Sequence, residues 1–301
     1  MSAVAAVESV GGRAGGRDDL LIEIPHGATE RRHFDALAAR LEGPLPAGLA
    51  AFFHVNTDEG APELAAAIAS GLAGAFRVRV IRALVPRTLV DLNRVIGGAE
   101  EGMTAGLPAY LRSARDRALL LDLHARYTAL AERAYAEVCG AGGLALALHT
   151  YAPRAVEVEV DDDVVAALRD AYRPEALSRW RQRPEIDLIT TTPAGEDLSP
   201  PGLASGLRHA LEGAGFAVAE NESYPLHPAS MGFRHARAWP GRVLCVEVRR
   251  DLLGAPWSPF EESEIGAGEV ARVAAPFSAA LALALGGRRD AQTPATSRVR
   301  V

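Results

Sequence analysis

The first readable pattern lies at residues 20–24. Leu20, Leu21, Ile22 and Ile24 make a short apolar run interrupted by Glu23 and stopped at Pro25-His26-Gly27. A short apolar run bounded by turn residues predicts a buried strand. Residues 31–42 carry apolar positions at helical intervals and end at Gly43-Pro44, which predicts a helix. Residues 51–55 form another apolar run and are expected as a second strand. Residues 62–72 read as a helix with Pro62 near its first turn, a favoured place for proline. Residues 77–82 alternate Arg with Val and Ile, the period of a half-buried strand. A long amphipathic helix is expected within 108–138, stopped by the glycines at 140, 142 and 143. Residues 144–148 are continuously apolar, as a central strand should be.

The second half keeps the alternation. Helices are expected at 162–172, 200–212 and 266–285. Strands are expected at 186–189, near 213–219 and at 242–248. The alternation predicts an α/β domain. With no internal repeat and no linker, residues 19–285 read as one domain. Residues 1–18, rich in Gly, Ala and Arg without a period, and residues 286–301 are expected as flexible tails.

Composition narrows the chemistry. The chain of 301 residues has no lysine, so all 32 basic residues are arginine. That excludes Schiff-base lysine chemistry and the phosphate loop that needs Gly-Lys-Ser/Thr. A catalytic acid or base must come from His, Asp, Glu, Tyr or Cys. A net charge of -6 argues against a nucleic-acid partner. Cys139 and Cys245 are too few for a disulfide framework and read as buried thiols in a reducing cytoplasm. The first residues lack the apolar core of a secretory leader, and no run of 18 uncharged apolar residues is present. A cytoplasmic protein with no membrane partner is expected.

Ligand sites in open α/β sheets gather at the carboxyl ends of strands. His26 follows the first strand, Asp58 and Glu59 follow the 51–55 segment, His149 ends the central strand, and Glu247 lies in the last one. Two histidines and a carboxylate are the ligand set of a catalytic zinc, and a further carboxylate can take the proton of a water there. The alternatives are ordinary ones. An isolated histidine at a strand end is commonly structural, and Asp58-Glu59-Gly60 also suits a helix-capping turn. Glu247 inside Val243-Leu244-Cys245-Val246 is costly unless paired or functional, although period two also allows a solvated face shared with Arg249. Asn93-Arg94 either clamps a substrate carboxylate or belongs to a loop in which Asp91 pairs with Arg94 or Arg87. His124 and Tyr127 share a helix face. Arg154 follows His149 closely, and His227 sits among turn residues.

Taken in order, these motifs resemble the N-formylglutamate amidohydrolase family, which is similar in fold to zinc carboxypeptidases. The matching elements are Pro25-His26-Gly27-Ala28, Asp58 with Leu64, Asp91-Leu92-Asn93-Arg94, His124 with Tyr127, His149-Thr150-Tyr151, and Glu247 with Arg250 and Leu252. They run from about Leu20 to Leu253. The resemblance implies a three-layer α/β/α fold around a mixed central sheet, of the zinc carboxypeptidase/phosphorylase-hydrolase-like kind. It implies one divalent ion, zinc, held by His26, His149 and an acid between them. That acid is assigned to Asp58, with Glu59 and Glu30 as the other options. It implies Glu247 as general base and then general acid. Asn93 and Arg94, with Arg154 and Arg250, are assigned to a carboxylate-bearing amide substrate. Two departures flank the ion: the serine after the first histidine is Gly27 here, and the His-Ser-Met element is His149-Thr150-Tyr151. The expected activity is metal-dependent cleavage of an N-formyl or N-acyl amino acid. A carboxypeptidase-like or γ-glutamyl peptidase, or a silent carboxylate-binding protein, are the alternatives.

Overall fold

The structure, a computed structural model, describes residues 3–12, 16–97 and 104–292, with only the backbone course given for the last four. Its strands are β1 (Ala5–Gly11), β2 (Leu20–Ile24), β3 (Arg77–Ala83), β4 (Leu144–Tyr151), β5 (Ile186–Ile189), β6 (Val218–Glu220) and β7 (Val243–Arg249). Its helices are α1 (Arg31–Ala38), α2 (Leu49–Asn56), α3 (Ala61–Leu72), α4 (Ala114–Cys139), α5 (Val164–Ala171), α6 (Pro174–Leu177), α7 (Leu203–Gly213), α8 (Met231–Ala238) and α9 (Ala267–Gln292).

The strands form one seven-stranded sheet in the order β1-β3-β2-β4-β7-β5-β6. Strands β3, β2, β4 and β7 run parallel, while β1 pairs antiparallel with β3 and β5 antiparallel with β7. This is a mixed sheet, and helices cover both faces to give three layers.

Period two sorts the strand side chains between two cores. Leu20, Ile22, Leu146, Leu148, Leu244, Val246 and Val248 pack with α3, α7 and α9. Leu21, Ala145, Ala147 and Cys245 pack with α1, α2, α4 and α5. The second face also carries the odd-numbered polar positions. Parallel register sets His149 beside Glu247, and antiparallel register sets Glu247 beside Asp187. A strip of titratable side chains therefore crosses β4, β7 and β5 at one level.

Several expectations change. Residues 51–55 lie in α2 and not in a strand. Both states accept a short buried apolar run, and here Phe52 and Phe53 are buried by helical packing. Residues 5–11, expected within a tail, form edge strand β1. It is held through backbone pairing with β3, so it needs no apolar signature, and Val7 remains 52% exposed. The long helix begins at Ala114 and not near Pro108, because the Ser113 side chain caps it by accepting from Asp116 N. Helix α1 stops at Ala38, short of residue 42.

The C-terminal helix runs past Gly286 to Gln292, and residues 293–301 lie outside the described part. By length and composition α9 is apolar enough to cross a membrane. Its stripe Val270, Val273, Phe277, Leu281 and Leu285 is buried in the core shared with α3 and α7, as in a core helix.

Candidate metal centre

Three loops meet beyond the ends of β2, β3 and β4. The loop after β2 carries His26, and Arg82 of β3 holds it by donating from Nε to the Gly27 carbonyl at 2.7 Å. A Cβ on Gly27 would stand 2.7 Å from Arg82 Cγ, so the family's serine at this position would displace that arginine. The turn between α2 and α3 carries Asp58. Its backbone N donates to the His26 carbonyl at 3.3 Å, and Thr57 Oγ1 donates to the Ala28 carbonyl at 3.1 Å. Gly60 closes this turn with φ 82°, a left-handed conformation natural to glycine. His149 comes from β4 itself.

His26, Asp58 and His149 are all buried and each offers one ligand atom, the three lying within 4.8 Å of one another. Asp58 Oδ2 is 2.8 Å from His149 Nδ1 and 3.4 Å from His26 Nδ1. An ion with bonds of about 2.0–2.2 Å needs donors roughly 3–3.5 Å apart, and the two separations from Asp58 Oδ2 are close to that. Among the described residues His26 Nδ1 is buried without a hydrogen-bond partner, so its lone pair is available to an ion.

Each donor is held from behind. Asp91 Oδ1 accepts from His26 Nε2 at 2.8 Å. Asp91 is fixed in turn by the Asn93 backbone N at 2.9 Å and by Arg87 Nε at 3.1 Å. Asn93 Nδ2 lies 3.4 Å from His149 Nε2, and its Oδ1 accepts from Gly232 N. Arg250 Nη2 stands 3.9 Å from Asp58 Oδ1.

The electrostatics follow. Burial acts to raise the Asp58 carboxyl, but the His26 charge and the hydrogen bond from His149 hold it well below the usual range. Burial also acts to lower His149, and Asp58 and Glu247 more than reverse this, so its pKa is raised. Asp91 lies well below the usual range because Arg87, Arg94 and His26 outweigh its burial. Glu247 is raised, chiefly by burial and further by Asp58, against the pull of His149, Arg183 and Arg87. Its Oε2 is buried and makes no hydrogen bond among the described residues. Glu247 therefore faces the strip beside His149 and not a solvated face, while Arg249 pairs with Asp251 at 2.7 Å.

The other sequence candidates land elsewhere or in other roles. Glu59 takes Ser263 Oγ at 2.5 Å and His54 Nδ1 at 3.4 Å. Glu30 pairs with Arg82 and Arg32 at the start of α1. Neither belongs to the trio. Arg250, expected at the substrate, is buried and donates to the Val55, His54 and Thr150 carbonyls, so it braces Asp58 from inside. Arg154 donates to the Trp180 carbonyl at 3.0 Å. Arg94 uses all three guanidinium nitrogens on Thr104 and the Asn93 carbonyl. His124 Nε2 donates to the Arg94 carbonyl at 2.8 Å, and Tyr127 donates to Glu23. His227 Nδ1 accepts from Ala229 N in its turn.

Sequence reasoning missed the bond from Asp91 to His26. That bond spans 65 residues, and no local spacing announces it.

No family model and no curated protein matches the chain. Solved structures do. N-formylglutamate amidohydrolase from Ralstonia eutropha is 16% identical with a TM-score of 0.57, covering 96% of this chain and all of that one. A gene product from Agrobacterium tumefaciens is 18% identical with a TM-score of 0.55, covering 96% of this chain and 97% of that one. The chain thus has the three-layer α/β/α fold that N-formylglutamate amidohydrolase also has.

Proposed function

We propose that this protein is a zinc-dependent amide hydrolase acting on an N-formyl or N-acyl amino acid, akin in activity to the amidohydrolase whose fold it shares. The observation that carries this is the convergence of His26 Nδ1, His149 Nδ1 and Asp58 Oδ2 beside the unpartnered Oε2 of Glu247. A metal-ligand set next to a half-buried carboxylate with an unpaired oxygen is the equipment of water-driven amide cleavage.

His26, Asp58 and His149 would hold the ion. When bound, it polarises the amide carbonyl and acidifies the attacking water. Glu247 takes the water proton as the oxygen adds to the acyl carbon. It then gives that proton to the leaving nitrogen as the C–N bond breaks, releasing the acid and the free amine. Its raised pKa brings it toward the working pH, where one group serves in both directions. Asp91 keeps the His26 proton on Nε2 and so leaves Nδ1 for the ion.

The partner is a small carboxylate-bearing amide. A reducing cytoplasm suits the free thiols of Cys139 and Cys245, which burial pushes up to about 12. The test is a panel of N-formyl and N-acyl amino acids offered to zinc-supplied and metal-stripped protein. Turnover that needs zinc and disappears in Glu247→Gln supports the reading, and turnover indifferent to both removes it.

A further inference from the structure

Four arginines surround the cleft, and three are committed. Arg87 is paired with Asp91. Arg94 uses one donor from each of its three nitrogens on Thr104 and Asn93 and stands 3.9 Å from Asp91, with which it pairs. Arg250 is buried beneath Asp58. Arg183 differs: among the described residues no carboxylate lies within ion-pair distance of it. Its hydrogen-bond partners among those residues, the Ala152 carbonyl and the Tyr224 hydroxyl, are neutral.

Its position is built. Tyr151 lies two residues beyond His149 on β4, on the same face of the sheet. The Arg183 guanidinium sits 5.1 Å from the Tyr151 ring and 5.6 Å from the Tyr224 ring. Nη2 donates to Tyr224 Oη at 2.6 Å, and Nη1 donates to the Ala152 carbonyl at 3.4 Å. Tyr151 is itself fixed by donating to the Pro184 carbonyl at 2.7 Å. The arginine is half-buried, flanked by two rings, and keeps donors free. Tyr224, accepting from Arg183, still has its own hydroxyl proton to give. The Arg183 charge is felt at Glu247, so the guanidinium shares the cleft with the base.

We propose that Arg183, with the Tyr224 hydroxyl, is the receptor for the substrate's free carboxylate and that Arg94 is a loop-positioning residue. A held planar fork that makes no ion pair among the described residues recognises a carboxylate without first breaking one. Because Arg183 follows the strip of Glu247 and His149 outward past Tyr151, a carboxylate on it leaves the acyl end of the same molecule toward the trio. The selected substrate is an amide whose amine half carries an acid. The role of this site rests on the amide-hydrolase reading, but its ligand chemistry is separable from it.

The test compares N-acetylglycine with its carboxamide, N-acetylglycinamide, titrated into zinc-supplied full-length protein by calorimetry. Wild type should bind the acid at least about tenfold tighter, and Arg183→Gln should bring the ratio near one. Tyr224→Phe, at an exposed side chain that folding tolerates, should lower the ratio severalfold without changing affinity for the carboxamide. A merely structural arginine would weaken both ligands alike. An unchanged ratio in Arg183→Gln, loss of the ratio only in Arg94→Gln, or no preference in wild type would each overturn the proposal. A preference for the acid without turnover on the wider panel keeps this receptor and removes the hydrolase. Turnover with an unchanged ratio in Arg183→Gln does the reverse.

Discussion

Asp91 Oδ1 lies 2.8 Å from His26 Nε2, and this contact decides which nitrogen of His26 faces Asp58 and His149. A carboxylate on Nε2 keeps the proton there and leaves the Nδ1 lone pair for an ion. Asp91→Asn keeps the shape but removes the charge. Zinc affinity, measured by competition with a chelating dye, should fall about 10- to 100-fold. Wild-type affinity in that variant would show that the contact merely packs the loop.

Glu247→Gln removes the proton carrier and leaves the trio untouched. The expected result is a fall in kcat of about 100- to 10,000-fold with zinc stoichiometry retained. Steady-state kinetics alongside metal analysis separates this from loss of the ion.

Metal binding should depend on pH through His149. In the metal-free protein its pKa is raised, since Asp58 and Glu247 outweigh the lowering by burial. A raised pKa means that the proton persists to higher pH and must be displaced by the incoming ion. Apparent zinc affinity should therefore rise by about tenfold per pH unit below that pKa and level off above it. Titrations across a pH series that stay flat would contradict the assignment of His149 as a ligand.

Stability has a separate key residue. Glu23 of β2 is buried and accepts hydrogen bonds from Tyr135 at 2.7 Å and Tyr127 at 3.0 Å. Tyr135→Phe leaves one carboxylate oxygen short of a partner in the core. Urea unfolding should show a loss of about 1–3 kcal/mol, with zinc affinity kept. Both outcomes together place this pair in the scaffold and not in the site.

What could be read from the sequence followed from short-range pattern. The apolar strands at 20–24, 144–148 and 242–248 and the helix at 62–72 match β2, β4, β7 and α3 because burial on both faces leaves a strong local mark. His26 and His149 converge because the neighbouring parallel strands β2 and β4 deliver their carboxyl ends to one rim, and the turn between α2 and α3 brings Asp58 to them. Other features had no local mark. Residues 51–55 are apolar enough for either state, and the packing of Phe52 and Phe53 decides for helix. Strand β1 is fixed mainly by backbone pairing, with only Ala5 and Val10 packed against the cores. The contacts of Asp91 with His26 and of Arg183 with Ala152 and Tyr224 join segments far apart in sequence, so residue type alone could not say which arginine makes no ion pair.

The central claim is that His26, Asp58 and His149 hold one ion that serves catalysis. The direct measurement is a zinc titration of metal-stripped protein with binding and turnover followed together. One equivalent should bind and restore activity in step, with His26→Ala and His149→Ala losing both. Activity that is unchanged by stripping, or zinc bound equally well by the two variants, would contradict the account.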